Sequence, residues 1–218
     1  MAQAVTVYRW DDPGAPQLTG IKPSEFLNVF KKCLVEGYGT KQPVGWSIVE
    51  ESDPTAAPRL VIKNDESNGG SGGVSIFYSS NDDDDQRVYL RSGQNYIDSD
   101  NYESANGYFT FSGGSGSGSR LPSNWILLAT PTAFHFFSFS TELASRNDQG
   151  ANYLPHVFTG DFISNYPSDP ATYISMCGKQ NNSSVGWTNT IAYIFYSKQK
   201  TYLKFIHLMV NKFRMMRV

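Results

Sequence analysis

Ionic groups are scarce in this chain, and histidine and cysteine are scarcer still. Charged residues make up 17% of its 218 residues, against 39% hydrophobic ones, with three histidines and two cysteines. Low charge beside that much apolar material excludes a disordered chain, which needs the opposite balance. Two cysteines exclude a disulfide framework. They permit one bond, but Cys33 falls in a helical apolar context and Cys177 in a strand-like one, which favours two packed thiols. No apolar stretch reaches the roughly 18 residues of a spanning helix, so no membrane span is expected. The start, MAQAVTVYRWDD, has no basic segment leading into an apolar run, so no secretory leader is expected. His135, His156 and His207 have no helical partner histidine and no nearby cysteine pair, and nothing in their spacing gathers the three or four ligands a zinc ion takes.

What the chain has is aromatic residues, glycine and proline: 14% aromatic, 19 Gly and 11 Pro. Rings suit pleated surfaces, and frequent turn residues suit many short strands. Strands are predicted over 3–10, 44–49, 59–63, 74–78, 86–91, 108–111, 125–130, 133–140, 156–162, 172–177 and 190–196. In the first, Val5, Val7 and Arg9 share a side. In FHFFSFS, Phe134 and Phe136 oppose His135, Phe137 and Phe139, and both faces are expected to be buried. One helix is expected over residues 22–36, capped by Ser24, with Phe26, Leu27, Phe30, Cys33 and Leu34 on one stripe and Gly37-Tyr38-Gly39 ending it. The segments NGGSGG (68–73), NDDDD (81–85) and GGSGSGS (113–119) read as hairpin loops inside the β region. The expected fold is mainly β: a sandwich-like antiparallel core over residues 1–197, with helix 23–36 on its flank, followed by a basic C-terminal segment, 198–218. That segment carries Lys198, Lys200, Lys204, Lys212, Arg214 and Arg217 and no acid, about +6 against a body of about −8. Tyr202, Phe205, Ile206, Met209, Val210 and Phe213 repeat at helical spacing there, so a basic amphipathic helix is expected to pack on the acidic body, with a partner or a membrane surface as the alternative. The acidic body is not expected to hold nucleic acid.

Catalytic patterns fail one by one. Gly69-Gly70-Ser71-Gly72-Gly73 matches the nucleophile-elbow pattern, but a polar loop precedes it and a strand follows, the wrong context. Asp82, Asp83, Asp84 and Asp85 could offer oxygens to Ca²⁺, but the loop lacks the glycine and the distal glutamate of a calcium hand. A solvated hairpin tip is the preferred reading. Asp98, Asp100, Glu103, Asp161 and Asp169 are available as acids, with no reason to pair any two. No cofactor is expected. Trp10, Tyr38, Tyr96, Tyr102, Tyr153 and Trp187 are candidates for stacking on a sugar or a partner, with core packing as the alternative.

Val7-Tyr8-Arg9, Asp12, Gly14-Ala15-Pro16, Leu18 and Gly20, then Cys33-Leu34-Val35, Gly37-Tyr38-Gly39 and Gly45-Trp46, recur at spacings by which the N-terminal third resembles small virion-associated structural proteins of tailed bacteriophages. FHFFSFS, Gly160-Asp161-Phe162 and Tyr173 with Cys177-Gly178 extend it to about residues 5–178. Pro13 and the long loops at 64–73 and 113–119 depart from the pattern. The resemblance implies a non-enzymatic virion component of the tail, collar, baseplate or head surface. It implies other virion proteins as partners and a homo-oligomer or symmetric array. A fibre or spike module holding a host glycan is the alternative.

Overall fold

The computed structural model describes residues 3–19, 22–53, 57–79, 87–98, 101–104, 109–112, 124–139, 156–162, 173–181 and 188–191. In chain order these form β1 (Thr6–Arg9), α1 (Pro23–Lys31), β2 (Ser47–Glu51), β3 (Arg59–Lys63), β4 (Val74–Tyr78), β5 (Arg87–Asp98), β6 (Asn101–Ser104), β7 (Phe109–Ser112), β8 (Asn124–Ala129), β9 (Ala133–Phe139), β10 (His156–Asp161), β11 (Tyr173–Asn181) and β12 (Thr188–Ile191). They make two antiparallel sheets of six strands each. The first runs β1-β8-β9-β10-β11-β12; the second runs β2-β3-β4-β5-β6, with β7 also on β5. The expected β-rich, sandwich-like architecture is what forms.

The core lies between the sheets, and side-chain alternation sets it up. From the first sheet come Tyr8, Trp125, Leu127, Phe134, Phe136 and Val157; from the second come Leu60, Ile62, Phe77, Val88 and Leu90. All five residues of the predicted helical stripe are buried. Phe30 joins the layers: its ring stacks 4.2 Å from Phe77 of the second sheet and stands 5.6 and 5.0 Å from Phe134 and Phe136 of the first. The helix therefore closes one side of the sandwich.

Its ends differ from expectation. It begins at Pro23, with Lys22 at the N-cap and no side-chain cap. Proline fits the first helical position because its missing N–H is one the helix cannot use there, and Ser24 is already inside the helix. The last turn widens into a π-helical segment, Lys32–Glu36, which Gly37 ends at φ +82°. This turn delivers Cys33 and Leu34 to the core, and the Leu34 carbonyl accepts from the Trp46 N–H at 3.1 Å.

Two loops separate in role. NGGSGG joins the paired strands β3 and β4, as a hairpin loop should. GGSGSGS instead lies between β7 of the second sheet and β8 of the first, so it is a crossover between sheets and not a hairpin. Composition alone could not distinguish the two, because both connections need only permissive backbone. The strand β5 is longer than predicted: beyond Arg91 it continues through Ser92-Gly93-Gln94-Asn95-Tyr96-Ile97-Asp98 and turns back into β6. The predicted C-terminal helix lies outside the described residues. Among those described, no helix is long and apolar enough to cross a membrane.

Candidate functional site

Several of the N-terminal residues on which the resemblance rests pack into one knot at the edge of the first sheet. In β1 the side bearing Val5 and Val7 faces out, at 58% and 42% exposure, and Tyr8 points into the core at 0%. The Tyr8 hydroxyl donates to the Gln42 carbonyl at 2.6 Å. After β1 the chain turns through Asp12, whose carboxylate accepts from the Arg9 N–H at 2.8 Å and the Tyr38 hydroxyl at 2.9 Å, with the Lys41 ammonium 3.6 Å away. Desolvation opposes ionisation of Asp12, but these donors and the Lys41 charge outweigh it and hold the carboxyl below its ordinary value of 3.8. The Trp125 indole donates to the Pro16 carbonyl at 3.1 Å, and the Trp46 indole to the Thr130 carbonyl at 3.0 Å. Gly39, at φ +53°, packs so tightly on the Pro13 carbonyl that a Cβ there would collide with it. Glycine is required at that contact both by space and by backbone conformation.

The titratable thiol and phenol side chains of this knot are held by burial. Cys33 is a buried free thiol. Burial, and secondarily the Asp12 charge, push its pKa well up, so the thiol stays protonated and unreactive. Burial likewise raises Tyr8 and Tyr38, whose hydroxyls serve as donors.

A second polar assembly ties the Gly-rich loop to the first sheet. Asp161, at the end of β10, accepts from the Asn64 amide at 2.8 Å and the Ser71 N–H at 2.8 Å, and from the Ser71 hydroxyl. Desolvation outweighs these donors and raises the Asp161 pKa above 3.8. Asn64 accepts in turn from the Gly72 N–H at 2.9 Å. Behind the loop a buried hydroxyl seam joins the sheets: Ser75 bonds Tyr173 at 2.8 Å, Ser175 bonds Thr159 at 2.8 Å, and Ser92 bonds Ser175. Ser71 thus sits between a short 3-10 turn, Glu66–Asn68, and β4, with its hydroxyl held by a carboxylate. It has no strand before it and no helix after it, so the elbow geometry is absent. No local sequence pattern signals this staple, because Ser71 and Asp161 lie 90 residues apart.

The stacking candidates whose side chains are described, Trp10, Tyr38 and Tyr96, do not form one platform. Trp10 is half-buried against the core, and its backbone N–H donates to the Trp125 carbonyl at 3.0 Å. Tyr38 is buried in the knot. Tyr96 is half-buried and its hydroxyl donates to Glu50 of β2. Tyr102 lies on β6, its side chain outside the described residues. Tyr153, Trp187, the four aspartates 82–85 and the six basic residues from Lys198 to Arg217 also lie outside them. Of the acids, Asp98 and Asp161 stand on different sheets, and among the described residues no cluster of three or more metal-ligating side chains occurs.

The outer face of the second sheet holds a group that the sequence reading passed over. Tyr78 and Tyr89, opposite each other on β4 and β5, stack at 5.1 Å. The guanidinium carbons of Arg91 and Arg59 stand 5.3 and 5.9 Å from the Tyr78 ring centre, within cation–π range. The clue was present as alternation in Arg59-Leu60-Val61, Ile76-Phe77-Tyr78 and Tyr89-Leu90-Arg91. Beside this group a shallow cleft of about 370 Å³ runs between α1 and β2–β3, lined by Leu27, Lys31, Glu51, Arg59 and Leu60 among others. Lys31 is already paired across its mouth with Glu51 at 2.8 Å.

Comparison of the chain with protein-family models, with curated proteins and with solved structures finds no match.

Proposed function

We propose that this chain is a non-enzymatic structural component of a tailed-phage virion, working through protein–protein contacts. The observation that supports it most is the use made of the resemblance-bearing residues. Asp12, Pro16, Gly39 and Trp46 are all consumed in internal packing and hydrogen bonds. A block built that way specifies a rigid shape, which is what a repeated part of a particle needs, and presents no nucleophile or acid–base pair. Quantitative mass spectrometry of purified particles tests the reading. The expected result is a fixed copy number per particle. Absence from particles, with a monodisperse monomer in solution, would contradict it.

A second reading, a surface that holds a host glycan, draws on the Tyr78–Tyr89 stack flanked by Arg59 and Arg91. Aromatic faces and guanidinium groups are the usual equipment for sugar rings and their acidic substituents. Binding on a glycan array that is lost with Tyr89→Ala would support it; no binding by the unmodified chain would dispose of it.

A further inference from the structure

The strands β1 and β2 each end a sheet, and their free edges are treated differently. An unpaired edge offers backbone donors and acceptors to any extended chain, and proteins guard it with charge, proline or a bulge. On the second sheet, β2 has a register shift between Ile48 and Glu50 and carries Glu50 and Glu51, the latter paired with Lys31. On the first sheet, β1 is guarded over its second half. The Trp10 N–H donates to the Trp125 carbonyl. By the alternation of an antiparallel ladder, Tyr8 and Thr6 then also bond toward β8, while Val5, Val7 and Arg9 turn their backbone groups outward. The outward groups of Arg9 are taken: its N–H donates to Asp12 and to the Tyr38 hydroxyl, and its carbonyl accepts from the Asp12 N–H. The Val7 carbonyl accepts from the Lys41 ammonium at 2.9 Å. Among the described residues, no hydrogen bond reaches the Val5 N–H or carbonyl.

The segment QAVTVY (3–8) holds no charge and no proline, and the pairing of β1 with β8 has no bulge. An exposed edge of that composition is a template for strand addition. We propose that a second copy of this chain adds to it, β1 against β1, antiparallel about a two-fold axis at Val5. The guard at Arg9 sets the register. Pairing stops at Val7, so the axis at Val5 places Val7 opposite Gln3 and Thr6 opposite Ala4. Gln3 is held in line, since its side chain donates to the Asn68 carbonyl and accepts from the Thr132 hydroxyl. The join supplies about four backbone hydrogen bonds. Two are reciprocal between the Val5 residues, and one runs from each Val7 N–H to the opposite Gln3 carbonyl. Neutrality favours self-pairing, because no like charges oppose each other across the axis, and the exposed Val5 and Val7 of both copies meet in one apolar row. The two six-stranded sheets then run on as one. The contact is small, so the pair is weak alone and suits a part repeated in an array, where such contacts act together. The interface rests on the edge strand and goes beyond the virion reading.

Disulfide trapping in the full chain tests it. In a hydrogen-bonded antiparallel pair the two Cα atoms lie about 5.5 Å apart, within the span a disulfide bridges. Val5→Cys, in a Cys177→Ser background with Cys33 buried, should oxidise to a covalent dimer. Val49→Cys, exposed on the guarded edge β2, should not. No dimer from Val5→Cys, or equal dimer from both, would overturn the proposal. Sedimentation of the unmodified chain at rising concentration should show a reversible dimer. Val5→Lys, which opposes two ammonium groups across the axis at an exposed position, should weaken it several-fold; a dimer that ignores this change would place the interface elsewhere and overturn the proposal. Hydroxyl-radical labelling of Val5 and Val7 should fall several-fold as the dimer forms, with the exposed Ile97 unchanged; constant labelling would contradict the pairing. In particles, Val5→Cys linked to a different protein and never to itself would give the edge to that partner and overturn the proposal. A monomer at every concentration, present in particles at fixed copy number, would remove this interface and leave the virion reading standing.

Discussion

The two sheets share one core but differ on their outer faces. On the second sheet Val61, Val74 and Ile76 point away from the core and are nonetheless buried. Their cover is the chain itself. Past Gly93 the strand β5 leaves regular pairing, with Asn95 at φ +52°, and brings Tyr96 over the sheet to Glu50 on β2. Since β2 lies three strands from β5, roughly 14 Å at ordinary spacing, a flat strand could not make that contact. On the first sheet the corresponding residues, Val7, Ile126, Leu128 and Phe158, remain exposed or half-buried. The second sheet thus covers part of its outer face with its own β5–β6 hairpin, while the outward apolar residues of the first sheet keep more of their surface exposed.

Removing what the two sheets share has the largest expected effect. Phe30→Ala withdraws a ring from Phe77, Phe134 and Phe136 at once, and chemical denaturation should show a loss of about 3–5 kcal/mol. Gly73→Ala comes next. A Cβ there would collide with the buried ring of Tyr173, and overpacking of this kind costs about 1–3 kcal/mol. Tyr96→Phe is smaller, about 1 kcal/mol for one hydrogen bond. It should act on the second sheet alone: labelling of Val61 and Ile76 rises, and labelling of Leu128 does not.

The smallest effects are in pH dependence, and their signs oppose. Asp12 has a folded pKa below 3.8, so its contribution to stability is present above that value and lost as pH falls through the folded one. Asp161 has a folded pKa above 3.8, so its contribution is fullest below 3.8 and is lost as pH rises through the folded value. Thermal melts across pH 3–7 should therefore show Asp12→Asn weakening the protein most at neutral pH. Asp161→Asn should flatten the decline just above pH 4.

Much of this fold was legible because its elements follow simple periods. The helical stripe from Phe26 to Leu34 is present as read, and so is the alternation of Phe134 and Phe136 against His135 and Phe137, but the expectation that both faces of that strand are buried is corrected: His135 and Phe137 are only half-buried. The β5 arm was missed because Ser92-Gly93-Gln94-Asn95 has no strand propensity; pairing of Ser92 and Gly93 with β4, and of Gly93 and Gln94 with β6, carries the strand on to the irregularity at Asn95. The β2 strand begins at Ser47, not Val44, because Trp46 is spent as a core plug before the strand starts. The polar staple at Asp161 and the Arg–Tyr group on the second sheet depend on residues brought together from distant strands, which spacing along the chain does not encode.

The claim underlying all of this is that the resemblance-bearing block of the N-terminal third is scaffold. Thermal unfolding of Gly39→Ala tests it most directly, because the added methyl enters only the contact between Gly39 and the Pro13 carbonyl. The predicted result is a midpoint lower by about 5 °C or more, at roughly 2–4 °C per kcal/mol for a chain of this size. An unchanged midpoint, with loss of partner or particle binding, would contradict the account and make the block a recognition surface.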